Sequence, residues 1–326
     1  MGKIGWGIIG TGNIAHKFAT GLTVCDEAEL VAVGSRKQET ADAFGDEFDV
    51  PHRHASYEAL AGDPDVDVVY ISTPHSFHHD NTLLCLEAGK HVLCEKPFAI
   101  NVAQAEAMVA VAREKKRFLM DAVWSRFQPA QVKMRELIAA GAIGEVRMIE
   151  SDFGFRAGVN PDARLFNPTL GGGALLDVGV YNIQLASMLL GPATEVKALA
   201  ALGETGVDEQ AAVITLHEQG RIACSSTAIR TTTKHAAAVF GTDGWITLDE
   251  PWWRTNGLTL VVRGKDPEHF DTPLVGNGYN YEADEVMACI GAGKLESDMM
   301  SLDETLSIMQ TLDEIRAQWG LKYPME

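Results

Sequence analysis

In the first third of the chain, short apolar runs alternate with stretches of helical periodicity. Ile4 to Ile9, Leu30 to Val33, Val66 to Ile71, His91 to Cys94 and Phe118 to Ala122 read as strands buried on both faces, as in a parallel sheet. Helical sequence separates them: a segment through Leu22, then Gln38 to Phe48, a short turn near Tyr57 to Leu60, Phe77 to Ala88, and Val102 to Lys115. The alternation predicts a doubly wound α/β domain. After Trp124 and a helix running to Ala140 the pattern changes. Val146 to Phe155, Val196 to Leu202, Ala211 to His217, Ile222 to Ile229, Ala236 to Phe240, Trp245 to Leu248 and Leu258 to Val262 are strand-like runs separated by turn residues, an order that predicts an antiparallel sheet. A glycine-rich, then helical segment, Leu170 to Asn182, is inserted into it, and two amphipathic stretches, Tyr281 to Ile290 and Leu302 to Trp319, close the chain. The expected division is 1–124, a dinucleotide-binding domain, and 125–326, an α+β domain.

The first apolar run ends at Gly10-Thr11-Gly12-Asn13-Ile14-Ala15, between a strand and a helix. Gly10 permits the tight turn, Gly12 lets backbone approach a pyrophosphate, and Ala15 is small enough for helix to lie on strand; the helix start offers unpaired N–H groups. Such a glycine pattern alone is weak, but the second strand arrives at the spacing of a βαβ unit. That strand ends at Gly34-Ser35-Arg36-Lys37 with no carboxylate for the ribose hydroxyls. A serine with two cations suits a 2'-phosphate, so NADP is expected over NAD; the competing reading has Arg36 and Lys37 merely opening a solvated helix.

Thr73, Pro74, His75 and His78 follow the third long run and are expected to line the cofactor cleft. His75 and His78 alone lack the partners of a metal centre, and no metal is expected. Glu95 and Lys96 end the next strand, where an open sheet exposes side chains to ligands, and Pro97 restricts the backbone of Lys96. On this stretch alone, an ordinary surface Lys/Glu pair is an equal reading. Asp177 and Tyr181 are four residues apart, so a helix places carboxylate and phenol on one face. Core packing of Tyr181, with Asp177 binding the glycine-loop amides, is the simpler reading of that segment.

The 326 residues carry a formal charge of −18, which argues against nucleic acid and anionic membrane as partners. No uninterrupted apolar run is long enough to span a bilayer, and Met1-Gly2-Lys3 leads directly into a strand, so a cytoplasmic protein is expected. Five cysteines without a CxxC pair disfavour a disulfide framework or a zinc site.

Together, the GTGNIA, CEKPF and LGGGALLDVGVY segments resemble the glucose-fructose oxidoreductase and inositol dehydrogenase family along essentially the whole chain, above all its dihydrodiol and xylose dehydrogenase members. The resemblance implies a Rossmann domain followed by a substrate-binding domain with an open, largely antiparallel sheet. It also implies that Lys96 is the catalytic lysine, Asp177 a substrate-orienting acid, Tyr181 the acid/base, and Arg164 a contact to the nicotinamide end of the cofactor. The expected reaction moves a hydride between nicotinamide and a secondary alcohol or hemiacetal carbon of a sugar, polyol or trans-dihydrodiol. Chemistry agrees: a phenol with an ordinary pKa of about 10 is a poor base until a cation such as Lys96 favours its phenolate. Trp124, Phe153, Trp252 and Trp253 are candidate pocket walls, with core packing an equal reading. Two other readings stay open, a nicotinamide-assisted glycoside hydrolase and a nucleotide-binding sensor without turnover. A sheet with helices on one side leaves its other face uncovered, so a homodimer, or a tetramer built from dimers, is expected.

Overall fold

The computed structural model describes residues 2–326, which form two compact units. Among the described residues, the first comprises 2–124 and 275–306, the second 125–274 and 307–326. The chain passes from one unit to the other at 124/125, 274/275 and 306/307. The stretch 275–306 packs with the first unit, which local periodicity has no means of indicating.

The first unit is built on β1 (Ile4–Ile9), β2 (Ala28–Gly34), β3 (His52–His54), β4 (Val68–Ile71), β5 (His91–Glu95) and β6 (Leu119–Ala122). They pair in the order β3-β2-β1-β4-β5-β6, all parallel. Between them run α1 (Asn13–Leu22), α2 (Gln38–Phe48), α3 (Tyr57–Ala61), α4 (His78–Glu87) and α5 (Val102–Lys115). The strand order reverses between β1 and β4, the crevice where ligands of such sheets bind. Phe18 of α1 fixes this helix over the sheet by stacking on Tyr70 of β4, ring centroids 3.7 Å apart, with Trp6 of β1 at its other edge.

The second unit begins with α6 (Pro129–Ala139) and β7 (Val146–Gly154). After α7 (Val180–Leu190) come β8 (Ala193–Leu202), β9 (Asp208–His217), β10 (Arg221–Ala228), β11 (Ala237–Gly241), β12 (Gly244–Leu248), β13 (Gly257–Val262) and the unexpected polar β14 (Glu268–Asp271). Their order is β14-β13-β12-β11-β7-β10-β9-β8. Every pair is antiparallel except β7–β10, which the α7 crossover and the β8–β9 hairpin separate in sequence. The helical stretch Pro168–Leu190 is long and apolar enough to cross a membrane, yet 89% of its most apolar window is buried inside the protein. On the sheet's other face the register aligns Leu216, Ile222, Met148, Phe240, Trp245 and Val261 in one row across six strands. Directly paired residues share a face, so this is a continuous apolar stripe, with Ile222 and Trp245 among its exposed members. The chain closes with α8 (Asn280–Gly291) and α9 (Leu302–Trp319). All five cysteines are free. Burial pushes the Cys25 and Cys85 thiols up to about 12, which makes them inert.

Candidate active site

In the first unit the expected cofactor residues gather at the carboxyl ends of β1, β2, β4 and β5. Gly10 has φ +99°, and a Cβ there would meet Ser72 Oγ at 2.9 Å, so the turn requires glycine. Its N–H donates to the Gly34 carbonyl at 3.0 Å, which ties the glycine turn to the end of β2. Gly12 caps α1 without a side-chain hydrogen bond, the first turn holds no acid, and a Cβ on Gly12 would meet nothing within 4 Å. Bare helix N–H groups facing open space fit a pyrophosphate. At the end of β2, buried Ser35 shares a 2.6 Å hydrogen bond with Thr40, while exposed Arg36 lies 6.0 Å over the Phe77 ring. Lys37 caps α2 with its backbone only.

Buried side chains hydrogen-bond the loop after β4. Thr73 Oγ1 accepts from Asn81 at 3.1 Å, and His78, fully buried, sets its two ring nitrogens 2.8 Å from the carbonyls of Thr73 and Pro97. His78 therefore clamps the β4 loop to the turn that carries Lys96, a structural role for a residue expected to line the cleft. Lys96 follows β5 with a cis bond to Pro97, and its N–H donates to Glu95 Oε2 at 3.1 Å. Glu95 Oε1 accepts the Tyr70 hydroxyl. Asp121 of β6 and Glu282 of α8 complete a buried group of acids around Glu95. Glu282 has neither oxygen hydrogen-bonded. Its burial, and then the charges of Glu95 and Asp121, raise its carboxyl well above the usual range, so it stays protonated beside them. Trp124, an expected pocket wall, stacks on Tyr279 at 4.3 Å in this same unit.

In the second unit the glycine loop is held from below by Asp208. A Cβ on Gly173 (φ +116°) would come within 2.2 Å of Asp208 Oδ1, and Oδ2 accepts the Leu175 N–H at 2.7 Å. From there Leu175–Gly179 forms a π-helical turn that passes into α7. The helical face shared by Asp177 and Tyr181 is therefore not built by a regular α-helix, as their spacing had predicted, but across a π turn, a feature common at functional sites. Asp177 is buried and paired with Arg164 at 2.8 Å. Arg164 thus pairs with Asp177, the acid four residues before Tyr181. Tyr181 is 6% exposed, its ring 5.4 Å from that of Phe153, which stacks on Trp253 at 3.3 Å and 7°. Trp252 is fully buried and donates to the Asp152 carbonyl at 2.9 Å, so it is core and not wall.

Sequence reading missed Glu282, Asp121, Asp208 and His235. The last packs its ring on Trp253 at 4.6 Å and Phe153 at 5.8 Å, at a positive φ of 65° that no local motif announces.

The model of the GFO/IDH/MocA oxidoreductase family, NAD-binding Rossmann fold, matches residues 4–122, and the GFO/IDH/MocA C-terminal domain matches 132–247. Trans-1,2-dihydrobenzene-1,2-diol dehydrogenase of Xenopus tropicalis is 38% identical, over 98% of this chain and 99% of that protein. The structure of aldose-aldose oxidoreductase from Caulobacter crescentus, complexed with glycerol, superposes with a TM-score of 0.89 at 29% identity, covering 98% of each chain. A 3-ketoreductase from Actinomadura kijaniata, in complex with NADP and TDP-benzene, gives 0.87 at 25% identity over 97% of each.

Proposed function

Because the chain belongs to the GFO/IDH/MocA family of oxidoreductases, we propose that it is an NADP-dependent dehydrogenase of a secondary alcohol or hemiacetal carbon in a sugar, polyol or trans-dihydrodiol. The observation that carries this reading is Tyr181. A phenol lies against the Phe153–Trp253 stack and one π turn from the Asp177–Arg164 pair. An aromatic wall takes the apolar face of a ring, and the polar groups beside it take the hydroxyls on its rim.

The bare start of α1 at Gly12 would hold the pyrophosphate, and Ser35, Arg36 and Lys37 the 2'-phosphate, since no carboxylate stands there to repel it. The related 3-ketoreductase bound to NADP supports the same choice. When bound, the nicotinamide takes up or returns the hydride. Tyr181 Oη removes the proton from the substrate hydroxyl during oxidation and gives it back during reduction. Lys96 would supply the positive charge that favours an alkoxide developing on the substrate. Asp177, fixed by Arg164, orients a second hydroxyl. Glu95 holds the Lys96 backbone, and Glu282, by staying protonated, adds no further negative charge to the buried acids beneath it.

Tyr181→Phe tests the assignment. Turnover should fall by about 10²-fold or more while NADP binding by calorimetry stays within about twofold. Lys96→Met should behave alike, and the double variant should be scarcely worse, because groups acting as a unit lose the whole effect when one is removed. Wild-type turnover retained in Tyr181→Phe with a good substrate would overturn the role. We propose too that a second copy of the chain covers the Leu216–Val261 apolar stripe, a row too long to be left to water on a stable surface.

A further inference from the structure

β3 lies at the edge of the first sheet and has no apolar side chain, only His52, Arg53 and His54. Alternation places residues 52 and 54 on one side and 53 on the other, and Arg53 pairs separately with Asp46 at 2.6 Å. Asp63, from the turn after α3, is buried beside the two histidines. Its Oδ2 lies 2.8 Å from His52 Nδ1 and 2.8 Å from His54 Nε2, and the three ligand atoms fall within 4.8 Å of one another. The histidine rings are partly exposed, which leaves an approach from solvent.

The geometry points to a site for one divalent transition-metal ion on this sheet edge, held by His52 Nδ1, His54 Nε2 and Asp63 Oδ2. Bonds of about 2.0 to 2.2 Å around a tetrahedral ion put ligand atoms about 3.4 Å apart, so the present 2.8 Å contacts need to open only slightly. The ion takes the place of the two imidazole protons that now point at Asp63. Each ring keeps one proton by moving it to its other nitrogen, so both stay neutral, no proton is released, and the ion takes the site from −1 to +1. For His52 that nitrogen is Nε2, 3.7 Å from Asp65 Oδ2, the kind of outer carboxylate that orients a metal-bound imidazole. Asp63 Oδ1 is already fixed by the Asp65 N–H at 3.0 Å. Two imidazoles and one carboxylate select zinc, cobalt, nickel or copper over magnesium and calcium, which prefer all-oxygen sites. A water completes the set. The opposing charge is Lys90, whose Nζ binds the Asp63 and Val66 carbonyls at 2.5 and 2.7 Å; it braces the turn and weakens cation binding. The sequence reading weighed only His75 and His78 and expected no metal, because His52, His54 and Asp63 meet through the β2–β3 register and the turn after α3, not through a compact motif.

The test uses the full chain, stripped with a chelator, dialysed, and titrated with Co²⁺ and then Zn²⁺. One Co²⁺ per chain should bind with the visible bands of a four-coordinate N/O ion, and Zn²⁺ should abolish them. His54→Gln should lose the bands and bind at least about tenfold more weakly. Zn²⁺ should raise the melting temperature of the wild type and not of the variant. If His54→Gln folds poorly by circular dichroism, His52→Gln serves in its place. Binding of equal strength in both variants, or none in the wild type below millimolar Co²⁺, overturns the site.

Discussion

Replacing Asp208 by Asn removes a titrating group from beneath the glycine loop and keeps the hydrogen bond the loop uses. Asp208 is fully buried. One oxygen accepts the Leu175 N–H, where the helical stretch bearing Asp177 and Tyr181 begins, and the other has no partner. Burial raises its carboxyl to about 7, against the pull of the Leu175 N–H toward ionisation. The folded value exceeds the unfolded one, so the folded state binds the proton more tightly. The stabilisation this gives is complete below about pH 4 and is lost as pH rises to about 7. Worked through the linkage relation, the loss is about 2 kcal/mol by pH 5 and about 4 kcal/mol by pH 8, a fall of about 2 to 3 kcal/mol between the two. An amide has no such slope, and Asn Oδ1 still accepts from Leu175. Urea unfolding of both proteins across this range gives the comparison. The stability of Asp208→Asn relative to wild type should rise by about 2 to 3 kcal/mol from about pH 5 to pH 8. Parallel curves would show that Asp208 does not hold its proton in the fold, and would refute the reasoning.

Arg36→Ala should raise the Michaelis constant for NADP at a cost of about 1.5 to 3 kcal/mol and leave NAD nearly unchanged; equal wild-type affinity for the two by calorimetry speaks against the NADP reading. Glu282→Gln should match the wild-type melting temperature at acidic pH and exceed it at alkaline pH, because a carboxyl raised in the fold stabilises below its unfolded value and loses that contribution as it ionises. A uniform loss at every pH would instead mark Glu282 as ionised. Trp245→Glu combined with Ile222→Glu puts two charges into the apolar stripe, and light scattering should then give half the wild-type mass or less; a wild type already monomeric at micromolar concentration removes the dimer from consideration.

What was legible in the sequence was whatever a few consecutive residues decide. Apolar runs of period one and the glycine turn at Gly10 and Gly12 specify the parallel sheet and its ligand-facing edge, because β-propensity, helix start and the positive φ of Gly10 are local properties. Ending β5 at Glu95 also puts Lys96 at the sheet's carboxyl edge without further information. The tertiary structure alone decided the rest. Asp177 lies on a π turn and Tyr181 on the α-helix that follows it, where Asp208, 33 residues beyond Leu175, fixes the start of the helical stretch. Phe153 and Trp253 meet through a stack across 100 residues of chain. The carboxyl of Glu282 is raised because 275–306 returns to the first unit and buries it near Glu95 and Asp121. Likewise the His52, His54 and Asp63 cluster arises when the edge strand pairs with β2 and the turn after α3 folds beside it. In each case the energy lies in contacts between distant segments, whose partners a local pattern does not name.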